Sequence, residues 1–181
     1  IARDLFLLQY TGGKLHIPTV SSEGAVKMIR EAKENKLDVS CSVAIHNLVF
    51  NDSSLNTFNT NFKVLPPLRT SDDIEALQNG LKDGTIDMVT SDHNPLDIEH
   101  KKIEFDHASY GTVGLESAFG ALNSIIPLKT VIKYFTRAKS RFGIKESTLN
   151  IGESIDATLF DPDVIYPFTK DDLISKSKNS I

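Results

Sequence analysis

Short β-leaning runs alternate along this chain with segments of helical spacing, and that alternation restricts the fold more than any other feature. Residues 15–20, 39–43 and 86–90 read as strands. Ser21 or Ser22 caps a helix that runs to about residue 35, with Ala25, Met28, Ile29 and Ala32 on one face. Thr70 and Asp73 form a capping box with Asp in place of Glu, opening a helix through Ile74, Leu77 and Leu81 that Gly84 ends. Helical spacing returns over residues 115–125 and from residue 128 to about 139, divided by Pro127. A further helix over residues 1–10 precedes the first strand and stops at Gly12 and Gly13.

Strands separated by helices are joined by crossovers, so they lie parallel. In parallel sheets the chemistry collects in loops beyond the carboxyl ends of the strands. Those loops begin here at Thr19, His46 and Asp92. Two of them are long, residues 44–70 and 91–112, and long loops in compact domains are usually functional. The pattern changes near Gly143: residues 151–153 and 157–160 read as short strands, with a turn at Asp161-Pro162. The expected division is an α/β unit over 1–143 and a β segment over 144–181.

Composition excludes several classes of function. The net charge is −4 with no basic run, so nucleic acid is not an expected partner. No apolar stretch approaches the roughly 20 residues of a membrane span. Cys41, the 1 cysteine, lies in an apolar run and reads as a buried small hydrophobe. Its lack of a disulfide partner fits a reducing, cytoplasmic compartment. The chain opens on Ile1-Ala2-Arg3-Asp4, without Met or a signal-peptide pattern, and closes on Ser177-Lys178-Asn179-Ser180-Ile181. Both ends read as cut from a longer protein.

Asp92, in Thr90-Ser91-Asp92-His93-Asn94-Pro95, is the strongest candidate for chemistry. A carboxylate just past an apolar strand can ligate a metal or act as general base on a metal-bound water. It can equally cap a local turn. His93 is a second ligand, a substrate contact or a packed histidine; as neighbours on an extended strand, it and Asp92 are not expected to share one metal. His16 and His46, in or just after strands, read as structural, and His100 and His107 as solvated. No His-x-His or His-x-x-x-His pair occurs, so the chain offers one or two metal ligands where zinc needs three or four. Gly111-x-x-Gly114, before a helix, is an anion-binding turn or simply a tight one.

Taken together these segments resemble dihydroorotase, in the amidohydrolase superfamily. The resemblance covers nearly the whole chain. It rests on Lys14-Leu15-His16-Ile17-Pro18-Thr19-Val20-Ser21, Leu65-Pro66-Pro67-Leu68-Arg69 and Asp83-Gly84-Thr85-Ile86-Asp87. It continues through the Asp92 motif, Tyr110-Gly111-Thr112-Val113-Gly114-Leu115-Glu116 and Gly152-Glu153-Ser154-Ile155-Asp156-Ala157-Thr158-Leu159. It implies a (β/α)8 TIM-type barrel with a small β domain built from both chain ends. This chain would supply about the last three strand–helix units and the start of the return into the β domain. A whole barrel takes about 250 residues. The early strands, with the His-x-His metal pair, would lie elsewhere.

The resemblance also implies roles. Asp92 matches a catalytic residue that binds metal, zinc by family, and serves as general base. Tyr110 and Gly111 match a backbone contact to substrate. Three positions depart: Thr19 stands where a ligand histidine is expected, Leu65 in place of a substrate-binding Asn, and Leu96 in place of a His that holds the substrate carboxylate. Thr is a poor zinc ligand, and Leu donates no hydrogen bond. Two expectations follow. One is a hydrolase interconverting dihydroorotate and carbamoyl aspartate in pyrimidine biosynthesis, with a small molecule as its substrate. The other is an inactive scaffold that binds a second copy of itself or aspartate transcarbamoylase. A third reading is an amidohydrolase for a less acidic substrate, with the Leu residues lining its pocket. The chain by itself is expected to be inactive.

Overall fold

The computed structural model describes residues 1–145 and 150–181. Three strands, β1 (Leu15–Ile17), β2 (Val39–Ala44) and β3 (Met88–Thr90), form a parallel sheet in the order β1-β2-β3. The expected crossovers connect them. Helix α1 (Ala2–Thr11) leads into β1; α2 (Glu23–Glu34) joins β1 to β2; α3 (Ile45–Val49) and α4 (Ser71–Asp83) join β2 to β3.

The predicted caps are in place. Ser22 accepts from the Ala25 amide, and Thr70 from the Asp73 amide. Asp73 also accepts at 2.8 Å from the Glu23 amide, so one carboxylate serves the first turns of two helices. Gly84 ends α4 at φ 83°, a left-handed conformation that glycine adopts without a Cβ penalty.

The central strand β2 is buried at every position; α2 packs on it, and α4 packs against α2. Ile29 of α2, Leu77 of α4 and Val43 of β2 are wholly inaccessible. Burying each such side chain stabilises the fold by about 1.5–3 kcal/mol. Later helices α5 (Ala118–Asn123) and α6 (Leu128–Thr136) add Leu122, Val131 and Tyr134 to this core; α7 (Ala138–Arg141) follows. Cys41 is buried and free, its thiol pushed up to about 12 by burial. No helix among the described residues is long and apolar enough to cross a membrane.

Some elements differ from their sequence patterns. β1 stops at Ile17 rather than near residue 20, because Pro18 lacks a donor and Thr19 takes φ 47°. The loop over 44–70 is not structureless: it holds α3 and 3-10 turns at Asp52–Thr57 and Thr60–Phe62. The helix expected over 115–125 is shortened to α5, which begins at Ala118; the Leu115 amide, in the turn before it, is bound by His93. Residues 151–153 and 157–160 form no strand among the described residues; Ile151 and Leu159 are fully exposed, with no neighbouring ladder to bury them. The chain then folds back to the loop that follows β3, where Ser180 bridges to Val113.

Candidate active site

At the carboxyl ends of β2 and β3 two titratable side chains meet. Ala44 and Thr90 are register partners at the end of the sheet. His46 and Asp92 each follow two residues later. His46, in α3, is 3% exposed. Its Nε2 lies 3.7 Å from Asp92 Oδ2, outside hydrogen-bonding distance. Both of its ring nitrogens are buried with no hydrogen-bond partner among the described residues. Burial disfavours the charged ring and takes its pKa down to about 4. The imidazole is therefore neutral near pH 7, the form that binds metals.

Burial acts on Asp92 in the opposite sense and raises its pKa, with no hydrogen bond to the carboxylate among the causes. A turn-capping Asp would accept local amides. Asp92 is instead directed at a ring that also lacks partners. Unsatisfied buried groups cost about 1–3 kcal/mol each and call for an explanation. A cation held between them would give the buried His46 ring a partner, shared with the part-exposed Asp92 carboxylate.

The backbone beneath the site is strained at two points. Asp92 has φ 45° and Thr19 φ 47°. Left-handed backbone is uncommon outside glycine and an outlier for β-branched Thr, and each instance costs about 1–3 kcal/mol. Both residues stand just past a strand end, where the sheet hands the chain to a loop. Ser42 secures the first: its Oγ accepts the Thr19 amide at 3.2 Å, and its carbonyl the Val20 amide at 2.8 Å.

The other histidines are held elsewhere or exposed. His93 Nδ1 accepts from the Leu115 amide at 3.2 Å, so it braces the turn before α5 and does not join Asp92. His16 Nδ1 lies 2.9 Å from Ser40 Oγ, its cross-strand neighbour, and the ring stands edge-on to Phe142. His100 and His107 are exposed.

The Gly111–Gly114 segment lies hard against the Asp92 turn. A Cβ on Gly114 would stand 2.4 Å from the Ser91 carbonyl oxygen, and one on Gly111, at φ 135°, 2.4 Å from Asn94 Nδ2. Close packing onto residues 91–94 explains both glycines without an anion. Backbone groups of Tyr110 and Gly111 are engaged within the chain. The Gly111 amide donates to Lys63 O, and the Tyr110 carbonyl accepts from Asn94 Nδ2 at 3.2 Å. Tyr110 is exposed, with the Lys63 ammonium 5.0 Å from the centre of its ring. Leu65 is exposed and Leu96 half-buried.

Sequence reasoning passed over His46. The missed signal was positional: His46 and Asp92 stand at equal offsets past neighbouring parallel strands. These two fit two positions of a metal centre. Among the described residues no group of three His, Cys, Asp or Glu converges, so the chain does not complete a zinc site from its own described side chains.

No family model matches the chain. Dihydroorotase from Thermoanaerobacter sp. (strain X514) is 39% identical over 186 residues, covering 99% of this chain and 43% of that protein. Dihydropyrimidinase from Brevibacillus agri NCHU1002 superposes with a TM-score of 0.83 at 25% identity, over 93% of this chain and 40% of that one. The inactive dihydroorotase-like domain of the Chaetomium thermophilum CAD-like multifunctional protein shares the fold, with a TM-score of 0.62 at 22% identity over 80% of this chain and 41% of that one. The chain thus spans less than half the length of the curated relatives it matches. Along 99% of its length the chain is similar to dihydroorotases, and it folds like part of a dihydropyrimidinase.

Proposed function

We propose that this chain carries part of the active site of a metal-dependent cyclic amidohydrolase that interconverts dihydroorotate and carbamoyl aspartate. One observation carries the reading. A buried imidazole whose two nitrogens have no hydrogen-bond partner among the described residues faces the Asp92 carboxylate at the mouth of a parallel sheet. In the proposed architecture β1, β2 and β3 belong to the later part of a (β/α)8 barrel, and residues 144–181 return toward a small β domain. His46 and Asp92 would hold the metal, zinc by family, together with ligands from the portion of the relatives that this chain does not span. Zinc supplies a water that ionises near neutral pH.

Asp92 takes a proton from the water whose oxygen bonds to the ring amide carbon. As the C–N bond breaks, it returns that proton to the leaving nitrogen. By the resemblance Tyr110 and Gly111 stand on the substrate side, with the Gly111 amide and both carbonyls already held within the chain.

The test is elemental analysis of protein expressed from its complete gene and purified without added metal. About one or two zinc ions per chain are expected, with loss in both His46→Ala and Asp92→Ala. Absence of metal even after zinc is supplied overturns the enzyme reading.

Thr19 favours a second reading, because its hydroxyl cannot replace an imidazole ligand. There the barrel persists as a scaffold that binds a second copy of itself or aspartate transcarbamoylase. Co-elution with either in a metal-free preparation would support it.

A further inference from the structure

We propose that Asn179 is a positioning residue that holds the Asp92 turn against the Tyr110–Gly111 segment; this rests on the reading of Asp92 just given. The end of the chain folds back over the mouth of the sheet. Glu116 receives it, accepting the Ile174 amide at 2.6 Å and the Ser175 amide at 3.0 Å. Ser177 then clamps Leu96: its Oγ accepts the Leu96 amide at 3.2 Å and donates to the Leu96 carbonyl at 2.7 Å.

Asn179 follows, 5% exposed. Its Nδ2 donates to the carbonyls of Asn94 at 3.2 Å and Gly111 at 3.3 Å. Its Oδ1 faces the Leu96 amide at 3.4 Å and also lies against Ser177 Oγ. Both donors of the carboxamide are in use, and its oxygen faces the Leu96 amide. Its own carbonyl accepts the Val113 amide at 3.0 Å and Thr112 Oγ1 at 2.8 Å. One buried residue therefore joins three backbone segments: 94, 96 and 111–113.

This attachment matters because Asp92, two residues before Asn94, sits in a left-handed conformation. Such strain persists only where the surroundings over-determine it. Asn179 supplies that constraint from a part of the chain far from Asp92 in sequence. It touches neither the Asp92 carboxylate nor His46, so its effect on chemistry passes through the backbone of the turn.

The experiment uses protein expressed from its complete gene, with kcat, KM and thermal midpoint measured for Asn179→Asp, Ser177→Ala and Asp92→Ala. Asn179→Asp keeps the shape but removes both donated bonds. The expected result is a fall in kcat on the order of 10- to 100-fold, with KM little changed and the protein still folded. Ser177→Ala, which loosens the same strap at one contact, should show a smaller fall of the same kind. Unchanged kcat in a folded Asn179→Asp overturns the inference. If that variant unfolds, Ser177→Ala decides: lowered kcat at unchanged KM supports the inference, and unchanged kcat overturns it. Wild-type kcat in Asp92→Ala, or an inactive wild type, defeats the functional reading and the inference with it. An inactive Asp92→Ala beside an unaffected Asn179→Asp defeats the inference alone.

Discussion

His46 Nε2 and Asp92 Oδ2 face each other across 3.7 Å from the ends of adjacent parallel strands, and neither ring nitrogen of His46 has a hydrogen-bond partner among the described residues. If a metal is what this histidine awaits, it adds nothing to the stability of the metal-free chain. Replacing an unsatisfied buried polar group by an apolar one of similar size is neutral or stabilising. His46→Leu should therefore hold or raise the thermal midpoint of metal-free protein while abolishing zinc binding in titration calorimetry. A large drop in midpoint would show that His46 serves the fold.

Acid should destabilise the metal-free protein before most carboxylates titrate. His46 has a folded pKa of about 4 against an ordinary value of 6.5. Between those values the unfolded chain takes up a proton that the folded chain refuses, so stability falls as pH falls. The contribution is complete above pH 6.5 and lost by about pH 4. At roughly 1.4 kcal/mol per pH unit it amounts to about 3 kcal/mol. Asp92, with a raised pKa, works in the opposite direction: its contribution is present below its ordinary 3.8 and lost as pH rises through the folded value. Denaturant unfolding at pH 7 and pH 4.5 should show a steeper loss for wild type than for His46→Leu. Equal losses would exclude the buried imidazole as the cause.

Much of the fold was legible because local chemistry and tertiary structure agree here. Ser22, Thr70 and Gly84 cap the helices that their types foretell, and the face of Ala25, Ile29 and Ala32 is the one buried. The place of Asp92 just past β3 was legible from its motif. His46 was not, because an isolated histidine is ambiguous until the register of β2 and β3 is known. The strands expected at 151–153 and 157–160 failed for a different reason. Strand propensity expresses packing on a neighbouring ladder, and among the described residues none stands beside them. Asn179 left no trace in sequence, since its role depends on contacts with residues 94, 96 and 111, more than sixty positions away.

Gly114 should be intolerant of any side chain. Its Cβ would stand 2.4 Å from the carbonyl oxygen of Ser91, a backbone atom adjoining Asp92. Backbone cannot swing aside as a flexible side chain can, so the turn must shift. Gly114→Ala should cost about 1–3 kcal/mol in chemical denaturation. It should also weaken zinc binding at Asp92. Gly120→Ala, where nothing lies within 4 Å, is the matched control and should leave both measurements unchanged. Equal behaviour of the two variants would mean that the close approach at Ser91 is not what fixes the turn.

Thr19 offers the sharpest separation of enzyme from scaffold. It occupies the position where the resemblance places a ligand histidine, and it does so at φ 47°, a conformation poorly suited to a β-branched residue. Histidine enters left-handed backbone several-fold more readily than most residues. Thr19→His should therefore relieve strain rather than add it, and the thermal midpoint of metal-free protein should hold or rise. If His46 and Asp92 form the rest of a usable metal edge, a third ligand should tighten zinc binding on the order of tenfold or more. Titration of wild type, Thr19→His and the double variant Thr19→His with His46→Ala reads this directly. Tighter binding that disappears in the double variant means that the two histidines and Asp92 converge on one ion. Unchanged binding in a folded Thr19→His means that position 19 no longer faces the site, and the scaffold reading gains.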